Sequence, residues 1–317
     1  MIGTRTPVPM LIAAGIVLAG ALPAQERAAP APAPAAAAQA PPGATTAFRW
    51  VDPDGKPLPF QSEEELLVFL RTAEVKSQKH LSTGVTFPTK VLLEKDGVRA
   101  NAVFKDVNEE RSTPTFGGGR DDLYFKDSYI YEPAGYQMSL LLGLDNVPPT
   151  TLRKLDRRNG SIQIWVEHGT NGGTLMKDKV APPDEQRWNK QLQMMNVFDA
   201  LIYNTDRNSG NFIVTPDWKL WMIDHTRAFR RNPTLQNPDG ITQCERGMYQ
   251  HLKALDEATI RERLKEYLSV FEMDALLKRR VLLLERLDKL IAERGADKVL
   301  YVYTDANAAA QPAAAPN

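Results

Sequence analysis

The sequence predicts an α+β fold of two lobes, strand-rich at the N-terminal side and helix-rich at the C-terminal side. Three observations predict it. Asp96-Gly97 separates two apolar-alternating runs, a strong hairpin signal because both turn positions need positive φ. Apolar spacing becomes helical from Glu132. Beyond Leu255, two amphipathic stretches follow, near residues 256–270 and 273–293.

The ends of the 317-residue chain are set aside first. Residues 1–24 carry one positive charge, at Arg5, then a 13-residue apolar stretch from Met10 to Leu22 and small residues ending in Pro23-Ala24. That is the layout of a secretory signal peptide. The apolar stretch is shorter than the ~20 residues a spanning helix takes; an uncleaved N-terminal anchor is the alternative. Residues 25–45 read as an Ala/Pro-rich disordered tether, and 306–317 as a tail of the same composition. The chain is therefore expected to be exported, to a periplasmic or extracellular space, with no stable membrane span after signal cleavage. Residues 46–168 and 169–305 remain as the two lobes.

Charge is balanced at 39 basic and 39 acidic residues, which argues against a nucleic-acid partner or an anionic membrane surface. Cys244 is the single cysteine, so no intrachain disulfide can form. None of the four histidines is paired at metal-ligand spacing, which argues against a zinc enzyme.

Taken in order, the first strand is Thr89–Lys95 and the second Val98–Val107. On the second, Ala100, Ala102 and Phe104 share one face, and Val103, Lys105 and Val107 the other. Gly117-Gly118-Gly119 reads as an insertion rather than a phosphate loop, because no clear helix start follows it. Ala134, Met138, Leu141 and Leu142 mark a helix from Glu132, the one helix expected in this lobe, with Gly143 to end it. Pro148-Pro149 marks a turn, and Ile162, Ile164 and Val166 a short strand. Leu192–Tyr203 is apolar nearly all round, as a central helix would be. Asn211–Thr215 and Leu220–Ile223 read as strands joined at Pro216-Asp217. In the last helix, Leu276, Leu277, Val281, Leu284, Leu287 and Ile291 form one broad face.

The chemistry-bearing block is Asn204 to Asp224: a polar loop after the central helix, a short hairpin, and an aspartate at its end. Phosphoryl transfer asks the protein for positioning, metal ligands and an acceptor for a hydroxyl proton. Asp206 would orient or deprotonate the nucleophile, while Asn211 and Asp224 offer the oxygen donors that Mg²⁺ prefers. Singly, each is an ordinary turn residue; together, flanked by apolar strands, they favour the functional reading. Lys105, in mid-strand, can aim its ammonium at phosphates, and Glu132 can hold it in an ion pair. A solvated lysine and a first-turn glutamate are the plain alternatives. Thr83 and Gly84, within Ser82–Thr86, could close over phosphates with backbone N–H groups, or form an ordinary turn.

These segments resemble the atypical kinase superfamily of phosphatidylinositol 3- and 4-kinases, HipA-type kinases and the secretory-pathway Golgi casein kinase family. Asn204–Asp224 resembles the catalytic segment, Glu132 to Pro149 the glutamate helix with its Val-Pro-Pro turn, and Gly97–Lys105 the nucleotide-lysine strand. The resemblance spans roughly residues 80–230. It implies a two-lobed protein-kinase-like fold that uses ATP and Mg²⁺ or Mn²⁺. In it Lys105 contacts phosphates, Glu132 supports Lys105, and Asp206 is the catalytic aspartate. Asn211 and Asp224 are its metal ligands, and Ile164–Val166 runs into the hinge, with Trp165 and Val166 at the adenine.

There are departures. Asn208 stands where many relatives have His, His225-Thr226 replaces Phe-Gly after the metal aspartate, and Pro133 is expected to leave Glu132 at a helix cap. Residues 226–251 occupy the place of an activation or acceptor segment. The expected function is an exported kinase acting on a hydroxyl of a protein, glycan or other acceptor. A nucleotide-binding pseudokinase or scaffold and an AMP transferase on the same fold are the alternatives, and a structural protein with a fortuitous motif ranks last.

Overall fold

A computed structural model describes residues 50–81, 88–111 and 125–304. The signal-like and tether segments, Thr83 and Gly84, the triple glycine and the tail lie outside the described residues.

The chain opens with α1 (Glu63–Thr72), then β1 (Glu74–His80), β2 (Thr89–Lys95), β3 (Val98–Lys105), β4 (Asn108–Arg111) and β5 (Phe125–Ser128). Helix α2 (Tyr131–Leu141) follows, then β6 (Thr150–Leu155) and β7 (Arg158–Ile164). Five of these strands form an antiparallel sheet in the order β1-β2-β3-β7-β6. The β2–β3 turn has Asp96 at φ 51° and Gly97 at φ 79°, as the Asp-Gly pair requires. Val91, Leu93, Ala100, Ala102, Phe104, Ile162 and Ile164 are buried on the sheet.

Among the described residues this lobe has two helices, where one was expected. α1 buries Leu66, Leu67, Phe69 and Leu70 and packs on β6 and β7. Its start is capped by Ser62, whose hydroxyl accepts from Glu65 N, and three glutamates in its first turn complement the helix dipole. The strand read at Ile162–Val166 begins earlier, at Arg158, and ends at Ile164; β3 likewise stops at Lys105, short of Val107. Glu132 is not a cap. α2 begins at Tyr131, which puts Glu132 inside the first turn, and Pro133 is tolerated there because first-turn N–H groups have no partner within the helix.

The helical half comprises β8 (Thr170–Asn171), α3 (Gly172–Lys177), α4 (Glu185–Ile202), β9 (Phe212–Val214), β10 (Leu220–Met222) and β11 (Cys244–Glu245). It ends with α5 (Arg246–Ala254), α6 (Glu257–Leu264), α7 (Val270–Arg294), α8 (Ala296–Val299) and β12 (Leu300–Tyr301). α4 starts seven residues before the apolar run at Leu192, at an Asp184 cap, and Tyr203 ends it in the left-handed region.

The stretch 226–251 contains a short strand and the start of a helix. Cys244 is buried in β11, paired with Leu300 of β12, and α5 begins at Arg246. α6 ends at Leu264, and a Ser269–Glu272 capping box restarts the chain as α7. The buried stripe of α7 runs through Met273, Leu276, Arg279, Leu283, Leu287 and Leu290, so Val281 is 49% exposed. The face is rotated because Arg279 takes a core position, donating to the carbonyls of Leu201, Arg230 and Asn232.

Among the described residues, no helix is long and apolar enough to cross a membrane.

Candidate active site

The end of α4 delivers the polar loop. Past Tyr203, Asn204 donates from Nδ2 to Asp199 Oδ1 (3.1 Å) and accepts from Asp206 N through Oδ1 (3.2 Å). Asn211 donates from Nδ2 to Asp206 O (2.7 Å), which turns its amide oxygen away from that carbonyl. These bonds fix the loop backbone while the Asp206 side chain stays 37% exposed. The antiparallel β9–β10 hairpin then carries the chain to Asp224 at φ 61°. A non-glycine residue in that region is uncommon, and such strain concentrates at functional positions.

Lys105, at the end of β3, meets both carboxylates. Its Nζ lies 2.5 Å from Glu132 Oε1 and 3.0 Å from Asp224 Oδ1, which also accepts from Thr226 Oγ1 at 3.1 Å. Burial by itself would lower the Lys105 pKa, but Asp224 and Glu132 outweigh it and hold the ammonium above its ordinary value. Burial would likewise raise the Glu132 carboxyl; Lys105 and then His225 outweigh it and hold the group well below the carboxylate range. Both members of the pair therefore stay charged.

A depressed carboxylate contributes stability above its unfolded pKa and loses it as pH falls through the folded one. The stability gap between wild type and Glu132→Gln should accordingly be full above about pH 4.5 and shrink below it. Melting temperatures of both proteins across pH 3–7 would check this. A gap that holds constant or widens toward acid would contradict the ion pair.

The remaining expected residues lie elsewhere. Trp165 and Val166 are half-buried just past the end of β7; Trp165 N donates to Asn101 O (3.0 Å), and Lys90 Nζ sits 4.1 Å above the indole. Ile164 pairs with Ala102 and Ser161 with Lys105, so this corner is about 10 Å along the strands from the lysine, at ~3.3 Å per residue. Thr83 and Gly84 lie outside the described residues.

Three further residues organise the site. Arg207 makes a two-pronged pair with Asp199 of α4, Nε to Oδ2 at 2.8 Å and Nη2 to Oδ1 at 3.1 Å. Its Nη1 donates to the carbonyls of Asn211 and, at 2.7 Å, of Ile223. One guanidinium thus binds helix, loop and hairpin together. Arg227 lies 2.8 Å from Asp127 Oδ2 through Nε and 3.3 Å from Asp206 Oδ2 through Nη1. His225 is buried between Arg207 and Glu132. The available signal was Asp199, the one carboxylate in the mostly apolar run Leu192–Tyr203, which needs a buried partner.

Among the described residues, no three His, Cys, Asp or Glu side chains are grouped to hold a metal. The oxygens on hand are the Asp224 carboxylate and the Asn211 amide. Such a sparse, hard set fits Mg²⁺ or Mn²⁺ shared with phosphates and water rather than an all-protein cage.

Three solved structures of similar fold are far from this chain in sequence. A hydra Fam20 structure with sugar is 17% identical, with a TM-score of 0.57 over 75% of this chain and 92% of that one. The Golgi casein kinase is 17% identical, with a TM-score of 0.57 over 77% of this chain and 79% of that one. Its structure with Mn/ADP bound is 16% identical at the same TM-score, covering 77% and 80%. The chain shares the fold of these kinase structures. No protein-family model and no curated protein matches it. In this fold Lys105 ends β3, Glu132 lies in the first turn of α2, and Asp224 follows β10.

Proposed function

We propose that the chain is an ATP- and metal-dependent phosphotransferase that moves a phosphoryl group to an acceptor hydroxyl. One observation carries the reading: Lys105, Glu132 and Asp224, from three separate elements, converge on one ammonium. A structural ion pair needs one carboxylate. Two buried or half-buried ones around a single lysine leave negative charge available to a cation.

In this reading Glu132 fixes Lys105, and the Lys105 ammonium turns to the nucleotide phosphates. Asn211 and Asp224 hold Mg²⁺ or Mn²⁺, which neutralises phosphate charge when bound. Trp165 and Val166 form the corner for the adenine, about 10 Å along β3 and β7 from the lysine. Asp206, accessible from solvent, accepts or orients the hydroxyl proton of the acceptor, and Arg227 keeps its carboxylate in place. The Golgi casein kinase structure with Mn/ADP supports this choice of ligands by analogy of fold. The signal-like pattern of residues 1–24 supports an activity outside the cytoplasm, in the periplasm or beyond the cell.

The test is a thermal-shift titration with ATP, with and without Mg²⁺ or Mn²⁺, on wild type and Asp224→Ala. At free ligand 100-fold above Kd, binding adds about 2.7 kcal/mol, a clear rise in Tm. We expect a metal-dependent rise in wild type that Asp224→Ala loses. No rise with any nucleotide and metal would leave a scaffold. Product mass then separates a gain of phosphate from a gain of AMP.

A further inference from the structure

His225 has no role in the chemistry above, yet it is buried at the centre of it. It directly follows Asp224, at the position where the resemblance leads one to expect Phe. Its side chain is 0% exposed. The ring stands edge-on to Phe198, with centroids 5.9 Å apart. Helix α2 closes against it so tightly that a Cβ on Gly135 would fall 3.0 Å from His225 Cγ. That glycine is what allows the helix carrying Glu132 to rest on the ring.

Both ring nitrogens face charged groups. Nε2 lies 3.2 Å from Arg207 Nη2, and Nδ1 lies 3.6 Å from Glu132 Oε2. A guanidinium has donors only, so Nε2 must accept and the ring proton sits on Nδ1, toward the carboxylate. At 3.6 Å the Nδ1 contact is longer than a hydrogen bond. Glu132 Oε2 and His225 Nδ1 are both buried, and neither has a hydrogen-bond partner. Two orphaned groups of matching polarity thus face each other across a gap that a small rotation closes. Left alone, a buried carboxylate oxygen carries a substantial desolvation penalty.

We propose that His225 is a positioning residue for phosphoryl transfer. Held as the Nδ1–H tautomer by Arg207, it engages the second oxygen of Glu132 and so keeps the first oxygen on Lys105. This deepens the proposed function and rests on its reading of Lys105 and Glu132 as nucleotide machinery. A phenylalanine would fill the same space without direction. Histidine fills it and also connects the catalytic loop, through Arg207, to the glutamate helix.

Two measurements on the full chain test this. The first is a long-range ¹H–¹⁵N spectrum of protein labelled at histidine, with His225 assigned by its loss in His225→Phe or His225→Asn. We expect Nδ1 protonated and Nε2 bare; protonation at Nε2, alone or with Nδ1, overturns the proposal. The second compares His225→Phe, which keeps the ring shape, with His225→Asn, which keeps a donor near the Nδ1 position. Loss of a partner that orients a functional side chain is expected to cost on the order of 10–100-fold in activity, as it does for the partners of metal ligands. We expect that loss in His225→Phe, chiefly as a raised KM for ATP and with a lowered Tm because the Glu132 oxygen is left bare, and recovery of most of the activity in His225→Asn. Equal activity in both variants overturns the proposal, whether both fall or neither does. Should wild type bind no nucleotide, the phosphotransferase reading fails, and the spectrum alone still decides whether His225 addresses Glu132.

Discussion

Replacing Asp206 with Asn is expected to lower phosphoryl transfer by about 10²–10⁴-fold while ATP still binds, the usual cost of removing a general base. Asparagine keeps the shape and cannot take a proton. The loop does not rely on the lost charge for its form, because the Asp206 backbone is held by Asn204 and Asn211. Among the described residues, the contact this substitution weakens is the one to Arg227, at 3.3 Å and partly exposed. Single-turnover rates beside the metal-dependent thermal shift of the same protein provide the measurement. Undiminished turnover with an intact shift would remove Asp206 from the chemistry.

The second large effect is structural. Arg207→Leu should destabilise the fold by about 3–5 kcal/mol, because it leaves the Asp199 carboxylate buried without its partner. For a domain of this size that lowers Tm by roughly 10 °C. The carbonyls of Asn211 and Ile223 lose a donor as well, so the polar loop and the strand leading to Asp224 come apart from α4. A companion variant separates these causes. Removing both charges with Asp199→Leu and Arg207→Leu together should recover part of the loss, since an apolar pair often replaces a buried ion pair at little cost. Urea unfolding of the single and double variants checks this; a double variant no more stable than Arg207→Leu would assign the effect to the carbonyl bonds instead.

What the sequence made legible follows from how locally each feature is encoded. The β2–β3 hairpin was readable because its turn demands positive φ and Asp96-Gly97 supplies it. The β6–β7 hairpin has the same demand at Asp156 and Arg157, with φ of 48° and 66°, but no glycine announces it. α1 carried a readable cap, Ser62 with Glu65, yet stands before the strands that drew attention. The face of α7 was misjudged because a periodicity count gives apolar Val281 the weight that the fold assigns to Arg279. At the site, Lys105, Glu132, Asp206, Asn211 and Asp224 were singled out because each stands in a short recognisable pattern. Arg207 with Asp199 and His225 with Glu132 were not, since those relations exist only once α4, α2 and the hairpin are packed together. Burial decides them, and burial is a property of the assembled chain.

The pairing of β11 with β12 has a consequence for handling the molecule. Its one cysteine, Cys244, is fully covered there, and burial pushes the thiol up to about 12. Thiolate is the reactive form, so alkylating reagents and oxidants find almost none in the native state. Labelling must wait for that strand pair to open, and its rate becomes a clock for local unfolding at the end of the chain. With no second cysteine in the chain, no intrachain disulfide has to form on the way to the fold, and the thiol meets oxidants only while that strand pair is open.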